Sequence, residues 1–328
     1  MRHISIQICK YPIRGTFRIA HGTVSEVEVV QVDITEHGMT GRGECRPYPR
    51  YGESTKSVTR EIKKIRNELE AGMTIQALQS ALPAGAARNA VDCALWDLAA
   101  KSQDKPVWEL AKIAAPRPRT TAYTLSIDTP QNMRAAALEA KTYPVLKLKI
   151  GGPDGLEGIT AILSARPDVQ LIVDANESLM PEDLAEFRRV LANAPVLMIE
   201  QPLPSDIDGQ IDNTPNARPR YCADESLHTR DDLSRLWEAG YRAINVKLDK
   251  CGGFTEALAL MNMARDMGFM IMAGCMVGSS LAMAPMAMLE SFADVIDLDG
   301  PLLLAQDVEN GLRFDGAVMH PPPAKLWG

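Results

Sequence analysis

Five polar residues recur along the second half of the chain at nearly equal intervals. Lys149, Asp174, Glu200, Asp224 and Lys247 are separated by 25, 26, 24 and 23 residues, and each lies at the end of a short apolar run. Taken singly, Asp174 in VDANES and Asp224 in ADES read equally well as helix caps, and Glu200 in IEQP as a loop carboxylate. Together they point further. Three carboxylates brought to one place repel one another unless a cation sits between them. An oxygen-only trio without His or Cys suits Mg²⁺, with substrate and water completing the octahedron. In LKLKI the period-two alternation puts Lys147 and Lys149 on one face and Leu146, Leu148 and Ile150 on the other. Neighbouring ammonium groups lower each other's pKa, which favours use of one of them as a base.

The elements that must position these residues follow from the spacing. An interval of this length holds a strand, a loop, a helix and a return loop. The runs TAYTL, VLKLKI, QLIVDAN, VLMIEQ, RYCADE, AINVKL, FMIMAG and DVIDLDG supply eight strands. The pattern predicts an α/β fold, a (β/α)7β TIM-type barrel over residues 116–300. An open doubly wound sheet is the rival, but no GxGxxG follows the first strand. In a barrel of this kind chemistry gathers at the carboxyl ends of the strands. Counting TAYTL as the first, Lys149 and Lys247 end strands two and six, on opposite walls, with the three carboxylates on the arc between them. A substrate carboxylate held on the metal would present its α-carbon between two lysines, one removing a proton and the other returning it from the opposite face. The outcome is inversion through an enediolate, stabilised by the metal and the lysines. Asp297 and Asp299 in DLDG share a face of strand eight and read either as strand-end caps or as an anionic receptor for an α-ammonium.

Ahead of the barrel, residues 2–9 and 27–34 alternate as strands, and GRGEC follows a Gly-containing turn, so the chain opens as a small antiparallel sheet. Helical periodicity follows over 54–70 behind a Ser cap, and over 84–101, where Ala90, Ala94, Leu95 and Leu98 share a face. These elements make an N-terminal α+β capping domain over residues 1–115. Pro116-Arg-Pro118 reads as a linker, and residues 301–328 are expected to return to the capping domain. The segment from Arg14 to Val24, with Gly15, Arg18, His21 and Gly22, reads as a lid over the substrate. A second loop, Arg46 to Glu53, adds Tyr48, Arg50 and Tyr51.

Composition narrows the partners. A formal net charge of −7 offers no basic field for a phosphate backbone, so nucleic acid is excluded as an expectation. The six cysteines are never closer than 24 residues, which leaves no CxxC pair or zinc knuckle and suggests reduced thiols in a cytoplasmic protein. The N-terminus reads as a strand, not a secretory signal. Met267 to Leu289 carries no charge, but Gly274, Gly278, Ser279, Ser280 and Pro285 interrupt it. A buried strand, a loop and a buried helix fit it better than a membrane span. Homo-oligomer formation is left open.

From end to end the chain resembles the enolase superfamily, its muconate-lactonizing subgroup, and within it the dipeptide epimerases. The matching stretches are CRPYPRYGES, LPAGAARNAVDCALWDLAAK, the LKLKI lysines, VDANES, EQPLP, CADESLHTR, NVKLDKCGG and DLDGP. The resemblance implies Mg²⁺ on Asp174, Glu200 and Asp224, acid/base roles for Lys149 and Lys247, and a carboxylate-polarising role for Lys147. It also implies substrate contact at Thr124 and an ammonium receptor in the DxD pair, Asp297 and Asp299. The implied substrate is a small dipeptide of the L-Ala-D/L-Glu type, inverted at its C-terminal residue during reuse of cell-wall peptides. Alternatives inside the subgroup are an o-succinylbenzoate synthase, a cycloisomerase or an N-acylamino acid racemase. A non-catalytic barrel is a further rival, against which two opposed lysines argue. One departure stands out: Val24 lies where Ala-Glu epimerases can carry an arginine for the acidic side chain. Either Arg18 replaces that arginine, or the preference differs.

Overall fold

Alternating apolar residues open the chain as an antiparallel sheet of three strands, β1 (His3–Ile19), β2 (Gly22–Glu36) and β3 (Met39–Cys45), in that spatial order. The computed structural model describes residues 2–19, 22–211 and 217–328, with side chains for all of these except 16–19 and 22–24. Ile4, Val30, Val32 and Ile34 form the buried side of the sheet. The first two strands run further than their alternation suggests. Their backbone pairing continues through Arg18↔Thr23 to Ile19↔Gly22, so much of the expected lid is a hairpin extension.

Helices α1 (Thr55–Lys64), α2 (Arg66–Glu70), α3 (Ile75–Ala81), α4 (Ala86–Gln103) and α5 (Val107–Leu110) follow. Ser54 caps α1 through a reciprocal pair of bonds with Ser57. The single helix expected over 54–70 breaks at Ile65, whose ψ of 12° leaves the helical range. Buried on nearly every side, α4 lies against β3 at very short range. A Cβ on Gly41 would sit 2.2 Å from the Ala94 carbonyl oxygen, and one on Gly43 2.1 Å from that of Ala90. The glycines of GRGEC and the alanines of α4 are thus one packing solution.

After the short β4 (Arg119–Thr120) come eight parallel strands: β5 (Tyr123–Leu125), β6 (Val145–Lys149), β7 (Gln170–Asp174), β8 (Val196–Glu200), β9 (Arg220–Ala223), β10 (Ala243–Val246), β11 (Met270–Ala273) and β12 (Val295–Ile296). Each pairs with its neighbours in sequence. A parallel bridge Thr121↔Ile296 and a bond from Ala122 N–H to Ile296 O at 2.8 Å bring the two ends of the sheet together. Between the strands run α6 (Pro130–Glu139), α7 (Gly155–Ala165), α8 (Pro181–Leu191), α9 (Leu233–Ala239), α10 (Leu248–Cys251), α11 (Phe254–Met267) and α12 (Ser280–Ala287). One unit departs from the regular repeat. Among the described residues between β8 and β9 there is only a 3-10 turn, Asp208–Gln210.

Ala122, Ile172, Met198, Cys222, Ala243, Met272 and Val295 pack together as one buried cluster drawn from all around the ring, whereas Leu146, Leu148, Leu171 and Val173 join the larger core that includes the helices. The uncharged stretch 267–289 resolves into β11, a loop and α12, and among the described residues no helix is long and apolar enough to cross a membrane. At the C-terminus β13 (Phe314–Asp315) and β14 (Val318–Met319) form a small sheet with β4. Trp327 then donates from Nε1 to the Cys93 carbonyl of α4 at 3.0 Å, and the Gly328 N–H bonds to Asp97 at 2.8 Å.

Candidate active site

The register of the parallel strands aligns the polar residues directly. Lys149 on β6 is level with Asp174 on β7, and Asp174 with Glu200 on β8. Asp224 and Lys247 are the first residues beyond β9 and β10. Asp297 and Asp299 lie just past β12, where the chain turns into the 3-10 segment Gly300–Leu303, and not on the strand as expected. Thr124, Lys147, Lys149, Asp224, Lys247, Asp297 and Asp299 line one pocket. Asp174 and Glu200 are buried behind them, reached by Lys147 Nζ at 3.2 and 2.7 Å. The same Nζ lies 2.9 Å from Asp297. Lys149 donates to Asp174 at 2.8 Å and, on a strand four places away, Lys247 to Asp224 at 2.6 Å. Asp299 accepts the Thr124 N–H at 2.7 Å. All the expected pocket residues therefore meet, except Arg18, whose side chain lies outside the described residues.

Crowding sets the electrostatics. Burial, aided by the Asp174 charge, pushes the Glu200 carboxyl up to about 8. Burial would also raise Asp174 and Asp224, but Lys149 and Lys147 hold the first below its ordinary value, and Lys247 and Lys250 hold the second well below. Burial and the neighbouring Asp297 push Asp299 up to about 6. The lowering expected for a lysine beside another lysine does not occur at Lys147. Burial does act downward, but Asp297, Glu200 and Asp174 outweigh it and hold the ammonium well above its usual pKa; Asp224 does the same for Lys247.

Does this set suit a divalent cation? The donors on β7, β8 and just past β9 are all carboxylate oxygens, the choice of a hard ion. Glu200 Oε2, although close to Lys147, accepts no well-directed hydrogen bond. Among the described residues four lysines, 147, 149, 247 and 250, face six carboxyl groups, 174, 200, 224, 225, 297 and 299, a formal excess of two negative charges when all six are ionised, as a bound cation would favour. That excess equals the charge of one Mg²⁺. Among the described residues no three of these acids converge as a ready cage, since each metal-type carboxylate is turned to a lysine. Donor chemistry and charge both fit.

Several side chains around the site escaped the reading of strand ends. Asn245 donates to Glu200 at 2.7 Å, and fully buried Lys250 holds Asp224 through its carboxylate, at 2.6 Å, and its carbonyl. Their N-x-K-x-x-K spacing around Lys247 was the available signal. Asn176, at a φ of 42°, accepts from Lys149 at 2.8 Å and donates to Glu225 at 3.1 Å. Its neighbour Glu177 is gripped by Arg50 from the capping loop, with Nε at 2.8 Å. The same loop contributes Arg46, Tyr48 and Tyr51 to the pocket wall, and Tyr51 stands edge-on to His228.

Two family models match the chain: the mandelate racemase / muconate lactonizing enzyme N-terminal domain over residues 2–111, and the enolase C-terminal domain-like family over 131–325. An L-Ala-D/L-Glu epimerase of Escherichia coli is 45% identical, covering 98% of this chain and all of that one. An N-acetyl-D-glutamate racemase of Pseudoalteromonas is 44% identical over 92% of this chain and 95% of its own. Among solved structures, an enolase family member from Agrobacterium tumefaciens, with homology to dipeptide epimerases and holding sodium and L-Ala-L-Glu, superposes with a TM-score of 0.95 at 41% identity over both full lengths. A dipeptide epimerase from Methylococcus capsulatus, complexed with Mg and L-Arg-D-Lys, has a TM-score of 0.89 at 28% identity over 97% of this chain and 96% of that one.

Proposed function

The chain belongs to the mandelate racemase / muconate lactonizing enzyme family of the enolase superfamily, and from that premise we propose how its residues act. It is an isomerase, a Mg²⁺-dependent dipeptide epimerase that inverts the α-carbon of the C-terminal residue of L-Ala-D/L-Glu-type dipeptides. The observation that carries the residue assignment is the placing of Lys149 and Lys247 four strands apart around one pocket, each at a carboxylate, with Asp297 and Asp299 between them on the arc opposite Glu200.

Asp174, Glu200 and Asp224 would hold the metal, whose role when bound is to neutralise charge developing on the substrate carboxylate as the α-proton leaves. Lys147, with an ammonium kept charged by its neighbours, binds that carboxylate beside Asp174 and Glu200 and assists in the same sense. Asp297 and Asp299 receive the dipeptide's ammonium, which fixes the α-carbon between the two walls. Lys149 takes or returns the proton on one face and Lys247 on the other, so reaction in either direction begins with one lysine neutral and the other charged. Thr124 contributes at the same end of the pocket as Asp299. Arg18 remains a candidate reader of the side chain. The cellular role we assign is recovery of cell-wall peptides in the cytoplasm.

N-acetylglutamate, the substrate type named for the Pseudoalteromonas relative, shares the two carboxylates but has no ammonium for Asp297 and Asp299. This disfavours it. The test is a panel of dipeptides with N-acetylglutamate included, incubated with enzyme and Mg²⁺ in D2O and followed by mass spectrometry. Deuterium should enter the C-terminal α-carbon of L-Ala-L-Glu and its epimer. Deuterium in N-acetylglutamate alone would replace this reading with the racemase one.

A further inference from the structure

Among the described residues the pocket wall holds four cations, Arg46, Lys147, Lys149 and Lys247. The three lysines each lie 2.6 to 2.9 Å from a carboxylate. Arg46 is different. It follows β3 in the capping domain, and its Nη1 donates to the Val277 carbonyl at 3.3 Å. Among the described residues, no carboxylate lies within ion-pair distance of its guanidinium. Asp249, the acid bonded to this residue, accepts the Arg46 backbone N–H at 3.0 Å and the Asn89 amide at 2.8 Å, so it is directed at the main chain and α4. Burial accordingly acts on the Arg46 guanidinium as on an ion short of a partner, lowering its pKa. A largely buried cation of this kind is costly until an anion meets it.

The charges gathered in the pocket specify that anion. The two negative charges left by the pocket's lysines and carboxylates are matched by Mg²⁺. The terminal carboxylate and ammonium of a dipeptide cancel each other. Among the described residues the Arg46 guanidinium is then the pocket cation with no carboxylate in contact, Asp249 acting on it only from beyond ion-pair distance, and a second carboxylate on the substrate would supply that contact.

We propose that Arg46 is the specificity residue of this enzyme, pairing its free guanidinium donors with the side-chain carboxylate of an acidic dipeptide. The inference rests on the dipeptide reading above and assigns to Arg46 the task first given to Arg18. With one Nη held by Val277, the remaining donors of the planar fork suit a carboxylate better than a lysine ammonium would.

The experiment is calorimetric binding of L-Ala-L-Glu, L-Glu-L-Ala and L-Ala-L-Met to the Mg²⁺-loaded protein, in wild type, Arg46→Met and Arg46→Lys. Loss of Arg46 should weaken one of the two acidic dipeptides by about 30-fold or more. L-Ala-L-Met, matched in length but uncharged, should bind all three proteins alike. Whichever acidic dipeptide suffers identifies the side chain that is read. Arg46→Lys should recover only part of the affinity, and it serves as the test should the Met variant fail to fold. Equal weakening of all three ligands, unchanged binding of both acidic ones, or no preference for an acidic dipeptide in wild type would overturn the inference. Turnover is scored separately: selective binding without α-proton exchange would refute the epimerase reading and leave the Arg46 pairing in place.

Discussion

Asp224 shows how little of a buried charge's surroundings a motif conveys. The sequence marks it as a strand-end carboxylate, and the fold places it between Lys247 and Lys250, each at 2.6 Å. The residues legible beforehand were those whose chemistry repeats at the βα interval: Lys149, Asp174, Glu200, Asp224 and Lys247. Asn245, Lys250 and Glu225 were not legible, because they act on other side chains and obey no period. Glu200 and Asn245 give the first prediction. Glu200→Gln should reduce turnover by orders of magnitude, since it removes a charge from the proposed metal site. Asn245→Leu keeps every ligand but frees Glu200 to turn, and should weaken Mg²⁺ about 10- to 100-fold by calorimetry. A Leu variant with wild-type affinity would mean that packing alone orients Glu200. Asp297→Asn should reduce kcat/KM for all dipeptides alike if, as proposed, it meets the ammonium common to them; a loss confined to acidic ones would assign it another partner.

The seam between the capping elements and the barrel belongs to α4. Its alanines admit β3 at backbone distance, its Asp92 accepts Thr255 N–H at 2.9 Å and Gln79 at 2.8 Å, and its Arg88 donates to the Cys251 carbonyl at 2.7 Å. Helical periodicity and the Ser54 cap announced these helices. The break at Ile65 and the extended β1–β2 hairpin were not announced, because no Gly or Pro marks the first, and in the second Pro12, Gly15 and Gly22 read as loop signals although Tyr11, Ile13, Phe17 and Ile19 alternate. Gly43→Ala drives a methyl into the Ala90 carbonyl and should destabilise by about 1–3 kcal/mol, measured as a lower Tm; an unchanged Tm would show that sheet and helix can separate freely. Asp92 supplies a pH test. Burial pushes it up to about 6 from an ordinary 3.8, so between about pH 6 and 4 the native state keeps a proton that the unfolded chain releases. This group's contribution to stability therefore rises as the pH falls through that window. On going from pH 6.5 to 4.5, Asp92→Asn should gain less Tm, or lose more, than the parent; parallel curves would mean that Asp92 stays ionised.

At the scale of the whole molecule, closure of the ring converts a linear spacing into opposed walls, and the charge it gathers calls for a divalent ion. The barrel, its eight strands and the order of its site residues could be read from period and strand ends. That a 3-10 turn is the only helical element among the described residues between β8 and β9 could not, since a regular spacing of 24 residues hid it. An ion that binds only the folded protein must stabilise it, by about 2.7 kcal/mol at 100 times its Kd. Tm should accordingly rise with Mg²⁺ in wild type and respond far less in Glu200→Gln. An equal response in both would place the ion elsewhere.

The claim most exposed to contradiction is that Lys149 and Lys247 serve opposite faces of one α-carbon. It is tested by following solvent deuterium into L-Ala-L-Glu and L-Ala-D-Glu by NMR, with Lys149→Ala and Lys247→Ala each supplied with Mg²⁺. Both variants should lose epimerisation. Each should still exchange the α-proton of a single epimer, because the surviving lysine removes and returns a proton on its own side, and the two variants should choose opposite epimers. Epimerisation at the wild-type rate by either variant, or exchange of the same epimer by both, would contradict the account.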